Sequence, residues 1–242
     1  LSILSAFMMA KWIIKKDKLP YTNEDLDDYF IFEALGVIIG ARVGYILFYD
    51  PHTSYYLLNP WQMFNPFLNG EFVGIRGMSY HGGLIGFIIG SLIYAFRYKK
   101  NFLSLMDLAA LSVPLAYTFG RIGNFLNQEL VGRISDIPWG IFVDGTLRHP
   151  SQLYEAFLEG IVVFVILFSI RKYKTFDGQI ASLYLVFYGL MRAIAEIWRA
   201  PDFHIGFDYS DFLTRGQILS FETMLVGVLL YFYLRYKSAN KS

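Results

Sequence analysis

The chain has 242 residues, 55% apolar and 19% aromatic, with only 17% charged, against about a quarter charged in soluble proteins. With a mean hydropathy of +0.40, this excludes a disordered chain, a coiled coil and an ordinary soluble enzyme, and points to one membrane domain of several helices. Cysteine is absent, which removes disulfides, thiolate metal sites and a catalytic thiol of the protein's own. A net charge of +1 gives no argument for nucleic acid as a partner.

A membrane-crossing helix needs about 20 mostly apolar residues. The first apolar stretch, 1–14, is shorter than that. It lacks an initiator Met and reads as the tail of a helix cut at its start. It has neither the basic n-region nor the small-residue cleavage site of a signal peptide. Six further stretches predict spans at 29–48, 79–96, 102–118, 151–170, 179–198 and 217–234. The expectation is an all-α polytopic membrane protein of about seven transmembrane helices. It forms a single domain over 1–242, with outer segments at 51–78 and 121–149.

The basic residues orient this map. Lys11, Lys15, Lys16 and Lys18 follow the first span, Arg97, Lys99 and Lys100 the third, Arg171, Lys172 and Lys174 the fifth, and Arg235, Lys237 and Lys241 the last. If the spans alternate, every lysine falls on one side, which the positive-inside rule makes cytoplasmic. The N-terminus is then outside and the C-terminus inside. The outer side carries arginine alone: Arg76, Arg121, Arg133, Arg148, Arg199 and Arg215. Arginine without lysine suits planar, bidentate contacts to phosphate or carboxylate; capping of helix ends and nonspecific headgroup contacts are the plainer reading.

No repeat and no low-complexity tract is present. Gly, Pro and Asn gather at 59–83 and 120–150. The first cluster holds Trp61, Phe64, Phe67, Phe72 and Tyr80, a density that predicts a short helix lying at the membrane interface. Any site is expected to open outward or into the outer leaflet.

Glu33, Arg42, Asp107, Glu155, Glu159, Arg192, Glu196 and Glu222 lie in or near predicted spans. Each costs roughly 2.5–3.5 kcal/mol in hydrocarbon unless paired or solvated, so such groups are expected to face the protein interior. Tyr188, Arg192 and Glu196 stand at i, i+4 and i+8 on one stripe, and Gln152, Glu155 and Glu159 at i, i+3 and i+7 on another. Arg192 and Glu196 either neutralise each other within their helix, or Glu196 holds Arg192 while its guanidinium binds a buried anion, with Tyr188 adding a hydrogen bond.

Three polar segments stand out. Ser79-Tyr-His-Gly-Gly-Leu-Ile-Gly86 places His81 at the mouth of a span, ahead of three glycines that permit close approach of a helix or a ligand. Histidine is the side chain suited to accept a proton near neutrality; a capping histidine with packing glycines is the structural alternative. Gly120-Arg-Ile-Gly-Asn-Phe-Leu-Asn-Gln-Glu-Leu-Val-Gly-Arg133 concentrates polar groups at membrane depth, where broken backbone is tolerated only inside protein or along a wet cavity. Here Arg121 and Arg133 are placed to face one anion. Arg148-His-Pro-Ser-Gln-Leu-Tyr-Glu155 reads as a helix start with Pro150 at N1, leaving His149 and Gln152 free.

These three segments, together with Gly44-Tyr-Ile-Leu-Phe-Tyr49 and Tyr188-Gly-Leu-Met-Arg192, resemble the motifs of the prolipoprotein diacylglyceryl transferase family, in order and over nearly the whole chain. The resemblance implies a seven-span enzyme of the bacterial inner membrane with its active site toward the periplasmic or outer face. It implies transfer of the diacylglyceryl group of phosphatidylglycerol, a membrane lipid, to the lipobox cysteine of a prolipoprotein signal peptide, with release of glycerol phosphate. The family's essential arginines fall on Arg121 and Arg192 and its histidine on His81; Asn124, Glu129, Gly132, Tyr188 and Glu196 also match. The family's Trp-Tyr-Gly would fall just before Leu1, and the stretch 134–147 is shorter than the outer head segment of some members.

The chemistry this implies breaks a C–O bond: a thiol attacks a glycerol carbon and displaces the phosphodiester oxygen. No acyl-enzyme, metal or other cofactor is required, and histidines 52, 81, 149 and 204 show no ligand spacing. Arg121 and Arg192 are assigned to the leaving phosphate, Glu196 to orienting Arg192, and Asn124 and Gln152 to headgroup or peptide contacts. His81 is either the general base or a ligand for the glycerol hydroxyls or phosphate. A phospholipid transporter or flippase would also place arginine and glutamate inside the membrane, but no inverted repeat is present. A structural membrane subunit would not need the arginine clustering.

Overall fold

The computed structural model describes residues 1–68, 70–200, 207–209 and 213–240. The chain divides into two compact units, Pro20–Leu105 and the pair of segments Leu1–Leu19 and Met106–Ser242.

In the unit Pro20–Leu105, helix α2 runs from Asn23 to Phe48, following α1 (Ser2–Asp17) of the other unit. It starts six residues before the predicted span. The polar run at its start is a cap: Thr22 Oγ1 accepts the Asp25 amide at 3.0 Å, and Asp25 returns a carboxylate oxygen to the Thr22 amide at 2.9 Å. Hydropathy sees that run as outside the helix, whereas first-turn acids favour a helix N-terminus.

Between α2 and α4 (Tyr80–Tyr98) lie a six-residue helix α3 (Thr53–Leu58), a 3-10 turn Pro60–Phe64 and a hairpin of β1 (Phe67–Leu68) with β2 (Glu71–Phe72). The aromatic cluster is thus carried on short turns and a hairpin in place of one interfacial helix, with Trp61, Phe67, Phe72 and Tyr80 exposed. Arg42, buried on α2, donates to the carbonyls of Met63, Arg76 and Gly77 and so ties this segment down.

Helices α2 and α4 meet along glycines. A Cβ at Gly86 would fall on the Gly36 carbonyl and lie 3.0 Å from Gly40 Cα, and one at Gly44 would lie 2.7 Å from Gly82 Cα. The backbones pack with no side chain between them, as small-residue stripes in membranes allow. The glycines after His81 therefore serve a helix neighbour. Glu33 is partnered by Ser91 Oγ at 3.1 Å, which also lies 3.3 Å from the Tyr29 hydroxyl.

Helix α5 (Phe102–Leu126), whose residues from Met106 onward belong to the other unit, continues past the predicted end at 118, so Arg121 and Asn124 lie on a helix. Their polar groups find protein partners, so the backbone ladder need not open. The chain turns only afterwards, with Gln128 and Leu130 at φ 56° and 54°. A hairpin of β3 (Ile141–Val143) and β4 (Thr146–Arg148) follows, closed by Asp144-Gly145 with both residues at positive φ.

Helix α6 (Ser151–Tyr173) begins with Pro150 as its N-cap, one position before the expected N1. It carries a π-turn at Ala156–Val162. There Gly160 presses against Thr118, whose Cβ would be 3.0 Å from an added methyl. Helix α7 (Gln179–Ala195) is three residues shorter than the predicted span, because Ile197 and Trp198 bond back to Ile194 and Ala195 in a tighter turn. After a short pairing of β5 (Phe207–Tyr209) with β6 (Leu213–Thr214), α8 (Arg215–Ala239) opens with a second capping box between Thr214 and Gln217. Among the described residues, four helices, α2, α5, α6 and α8, are long and apolar enough to cross a membrane, and α7 is a shorter apolar helix. Glu222 departs from the expected interior placement: it sits on an exposed face of α8.

Candidate active site

The polar centre lies in the unit Met106–Ser242. Glu155 and Glu159, one turn apart on α6, are both fully buried. Glu155 Oε2 stands 3.0 Å from Arg121 Nε of α5 and 3.0 Å from Arg192 Nη1 of α7. Its other oxygen lies 3.3 Å from Arg199 Nη1. Arg192 Nη1 also reaches Glu159 Oε1 at 3.4 Å, and Nη2 donates to Glu196 Oε2 at 2.9 Å. Thr214 donates to the remaining Glu196 oxygen at 3.1 Å. Among the described residues three guanidinium groups thus meet three carboxylates, and their charges balance. Burying charge in hydrocarbon requires that balance.

Arg121 and Arg192 come from separate helices onto one carboxylate oxygen. The Tyr117 hydroxyl extends the lattice: it accepts from Arg121 Nε at 2.8 Å and donates to Glu159 Oε2 at 2.6 Å. Arg121 Nη1 reaches Asn124 Oδ1 at 3.4 Å, and Asn124 Nδ2 donates to Glu129 Oε2 at 3.1 Å. Gln152, fully buried, donates Nε2 to the Glu129 carbonyl at 2.6 Å, and its Oε1 has no partner among the described residues. Five expected site residues, Arg121, Asn124, Glu129, Gln152 and Arg192, therefore join one network with Glu155, and Glu196 completes it. Tyr188 packs edge-on against Tyr117, with ring centroids 5.9 Å apart.

Gly132 plays a backbone part. Its amide donates to the His149 carbonyl at 3.2 Å, its own carbonyl accepts from Arg148 Nη1 at 3.2 Å, and a Cβ there would lie 2.8 Å from the Trp198 carbonyl. The Nε of Arg133 donates to the Arg199 carbonyl at 2.9 Å. The guanidinium groups that share Glu155 with Arg121 are those of Arg192 and Arg199. His149 approaches the Tyr154 hydroxyl at 3.4 Å. His81, exposed in the first turn of α4, belongs to the unit Pro20–Leu105 and stands edge-on to Tyr80. His204 lies outside the described residues.

Sequence reasoning noted Glu155 and Glu159 as buried acids but gave them no place in the site; it named Arg199 only among the outer-side arginines, and it passed over Tyr117 and Thr214. The signal for Tyr117 was present: it is four residues from Arg121 and therefore on the same helix face.

Apolar helices built around a buried arginine–glutamate lattice define a class: a membrane-embedded protein with a polar, charge-paired centre. The chain belongs to the prolipoprotein diacylglyceryl transferase family, whose model matches residues 1–233. It is 55% identical over 240 residues to a phosphatidylglycerol–prolipoprotein diacylglyceryl transferase of Campylobacter jejuni subsp. jejuni, covering 99% of this chain and 88% of that one. To the enzyme of that name from Wolinella succinogenes it is 58% identical over 227 residues, covering 94% and 83% respectively. Membership decides for a transferase over the transporter and structural-subunit readings.

Proposed function

We propose that this protein transfers the diacylglyceryl group of phosphatidylglycerol to the lipobox cysteine thiol of a prolipoprotein, forming a thioether and releasing glycerol phosphate. The observation that carries this reading is the 55% identity, over 99% of the chain, to an enzyme of that name. The convergence of Arg121 and Arg192 supports it chemically. The thiolate attacks the glycerol carbon, the C–O bond to phosphate breaks, and the electron pair stays on the phosphate oxygen. The phosphodiester carries one negative charge and the departing glycerol phosphate gains another. Cations at that oxygen are therefore worth more in the transition state than in the ground state, by about 3–4 kcal/mol per donor.

In this reading Arg121 and Arg192 stabilise the leaving phosphate, Glu196 holds Arg192, Tyr188 adds a hydrogen bond to the bound anion, and Asn124, Glu129, Gly132 and Gln152 shape the surroundings of the headgroup. His81 takes the thiol proton or binds the lipid head. The chain is a single catalytic domain of about seven spans in the bacterial inner membrane, N-terminus outside and C-terminus cytoplasmic, with the site toward the outer face.

The test uses purified protein in phosphatidylglycerol-containing nanodiscs with a lipobox peptide, following glycerol phosphate and thioether-linked peptide. Both products are expected in equal amounts, and Arg121→Ala lowers their formation by about 10²-fold or more while remaining folded. Absence of both products in the parent protein, or normal turnover in the variant, refutes the assignment.

A further inference from the structure

The two arginines are held by opposite edges. Arg192 spends both of its Nη groups on Glu155, Glu159 and Glu196. Arg121 is held mainly at Nε, between the Tyr117 hydroxyl at 2.8 Å and Glu155 Oε2 at 3.0 Å. Its Nη1 has one long contact, to Asn124 at 3.4 Å, and its Nη2 makes no hydrogen bond among the described residues. The guanidinium that keeps its paired Nη fork open to an incoming anion is therefore that of Arg121, and such a fork matches two oxygens of one phosphate.

What selects this edge is Tyr117. The side chain is held both at its hydroxyl and on its ring. It donates its proton to Glu159 Oε2 at 2.6 Å, so its lone pairs are left for Arg121. Its ring is braced by Tyr188 at 5.9 Å, and Tyr188 stacks on Tyr184 at 5.6 Å. The guanidinium carbon of Arg121 lies 4.8 Å from the Tyr117 ring centroid. The two residues are one helical turn apart on α5, so the contact costs no long-range ordering. Without the hydroxyl, Arg121 Nε would be left with Glu155 alone. The guanidinium would then be free to rotate its fork onto that carboxylate, which is the stronger bidentate arrangement.

We propose that Tyr117 is a positioning residue for the transfer: by capturing Arg121 at Nε, it keeps the Nη fork turned to the phosphate of the lipid. The proposal rests on the reading that Arg121 binds that phosphate, and the experiment separates the two. Transfer rate and the equilibrium binding of glycerol phosphate, the product, are measured by isotope release and by 31P NMR in four full-length proteins: the parent, Tyr117→Phe, Arg121→Lys and the double variant. Lysine retains the charge but has neither Nε nor a fork.

With Arg121 in place, Tyr117→Phe is expected to weaken both transfer and glycerol phosphate binding about tenfold, with the thermal midpoint and the KM for the peptide unchanged. In the Arg121→Lys background the same change is expected to alter binding less than twofold. An equal loss in both backgrounds, or none in either, overturns the proposal; so does a Tyr117→Phe protein that fails to fold, because the hydroxyl would then serve the fold. If Arg121→Lys itself binds glycerol phosphate as the parent does, the failure lies in the phosphate reading of Arg121.

Discussion

Arg192 and Glu155 face each other at 3.0 Å from neighbouring helices, and the same glutamate oxygen is 3.0 Å from Arg121. Glu155 is thus the hinge of the charge balance, touching all three arginines. Removing it differs in kind from removing an arginine. Glu155→Ala leaves three buried guanidinium groups with two carboxylates, and breaking a buried pair this way costs about 3–5 kcal/mol. Arg121→Ala leaves a surplus carboxylate, which a proton can neutralise where a guanidinium cannot lose one, and Glu155 is still held by Arg192 and Arg199, so its cost in stability is expected to be about 1–2 kcal/mol. Thermal midpoints in detergent should therefore fall steeply for Glu155→Ala and little for Arg121→Ala, although Arg121→Ala lowers transfer by about 10²-fold or more. Equal midpoints would show that Glu155 is not the balancing charge.

His81 gives a prediction of another type. As the acceptor of the thiol proton it would be replaced, in His81→Gln, by a group that cannot take one. Turnover should then require a higher pH, at which the substrate cysteine ionises unaided; a free thiol does so near 8.5. The measurement is kcat/KM for the peptide between pH 6 and 9. An unchanged profile with a raised KM for phosphatidylglycerol assigns His81 to lipid binding.

The parts of this arrangement visible in the sequence are those confined to one helix. Tyr188, Arg192 and Glu196 form a stripe by spacing alone, and the 2.9 Å pair of Arg192 and Glu196 is that stripe made solid. What spacing does not carry is register between helices. Nothing in the periodicity says that Glu155 lies opposite both Arg121 and Arg192, so a site reading centred on arginine left the glutamates unassigned. Hydropathy also ends the helix at 118, because it scores Arg121 and Asn124 as polar without knowing that each has a partner. It placed Glu222 inside for the complementary reason: a charge within an apolar run has no direction until the helix faces are known.

The glycines of α2 and α4 make a contrast that packing alone decides. A methyl at Gly86 meets the Gly36 carbonyl and lies 3.0 Å from Gly40 Cα, both of them backbone that cannot swing aside. One at Gly83 finds only ordinary contacts, 3.5 Å to Ala41 Cβ and 3.7 Å to Val37 Cγ1. Gly86→Ala is expected to destabilise by about 1–3 kcal/mol through overpacking. Gly83→Ala should be neutral or stabilising by up to about 1 kcal/mol from helix propensity. Comparing the two thermal midpoints tests whether backbone contact, and not glycine's flexibility, is what α2 and α4 need.

Lys174 closes the chain between α6 and α7, 2.8 Å from Asp107 and 2.8 Å from Asp177. Asp107 also accepts the amides of Gly178 and Ala181 at 2.8 and 2.9 Å, fixing the start of α7. Burial works against the charge of Lys174, but the two carboxylates outweigh it and hold the ammonium above its ordinary value. A lysine raised on folding stabilises fully below its unfolded pKa, about 10.4, and that contribution is lost as pH rises through the folded value. Lys174→Met should therefore cost about 1–2 kcal/mol at pH 8, a discounted figure because Lys174 is partly exposed and Asp107 keeps its amide donors. The gap between parent and variant should close only above the ordinary lysine pKa. A gap that closes below pH 10, or stays constant to higher pH, would mean that the contact contributes through packing of the lysine stem and not through its charge.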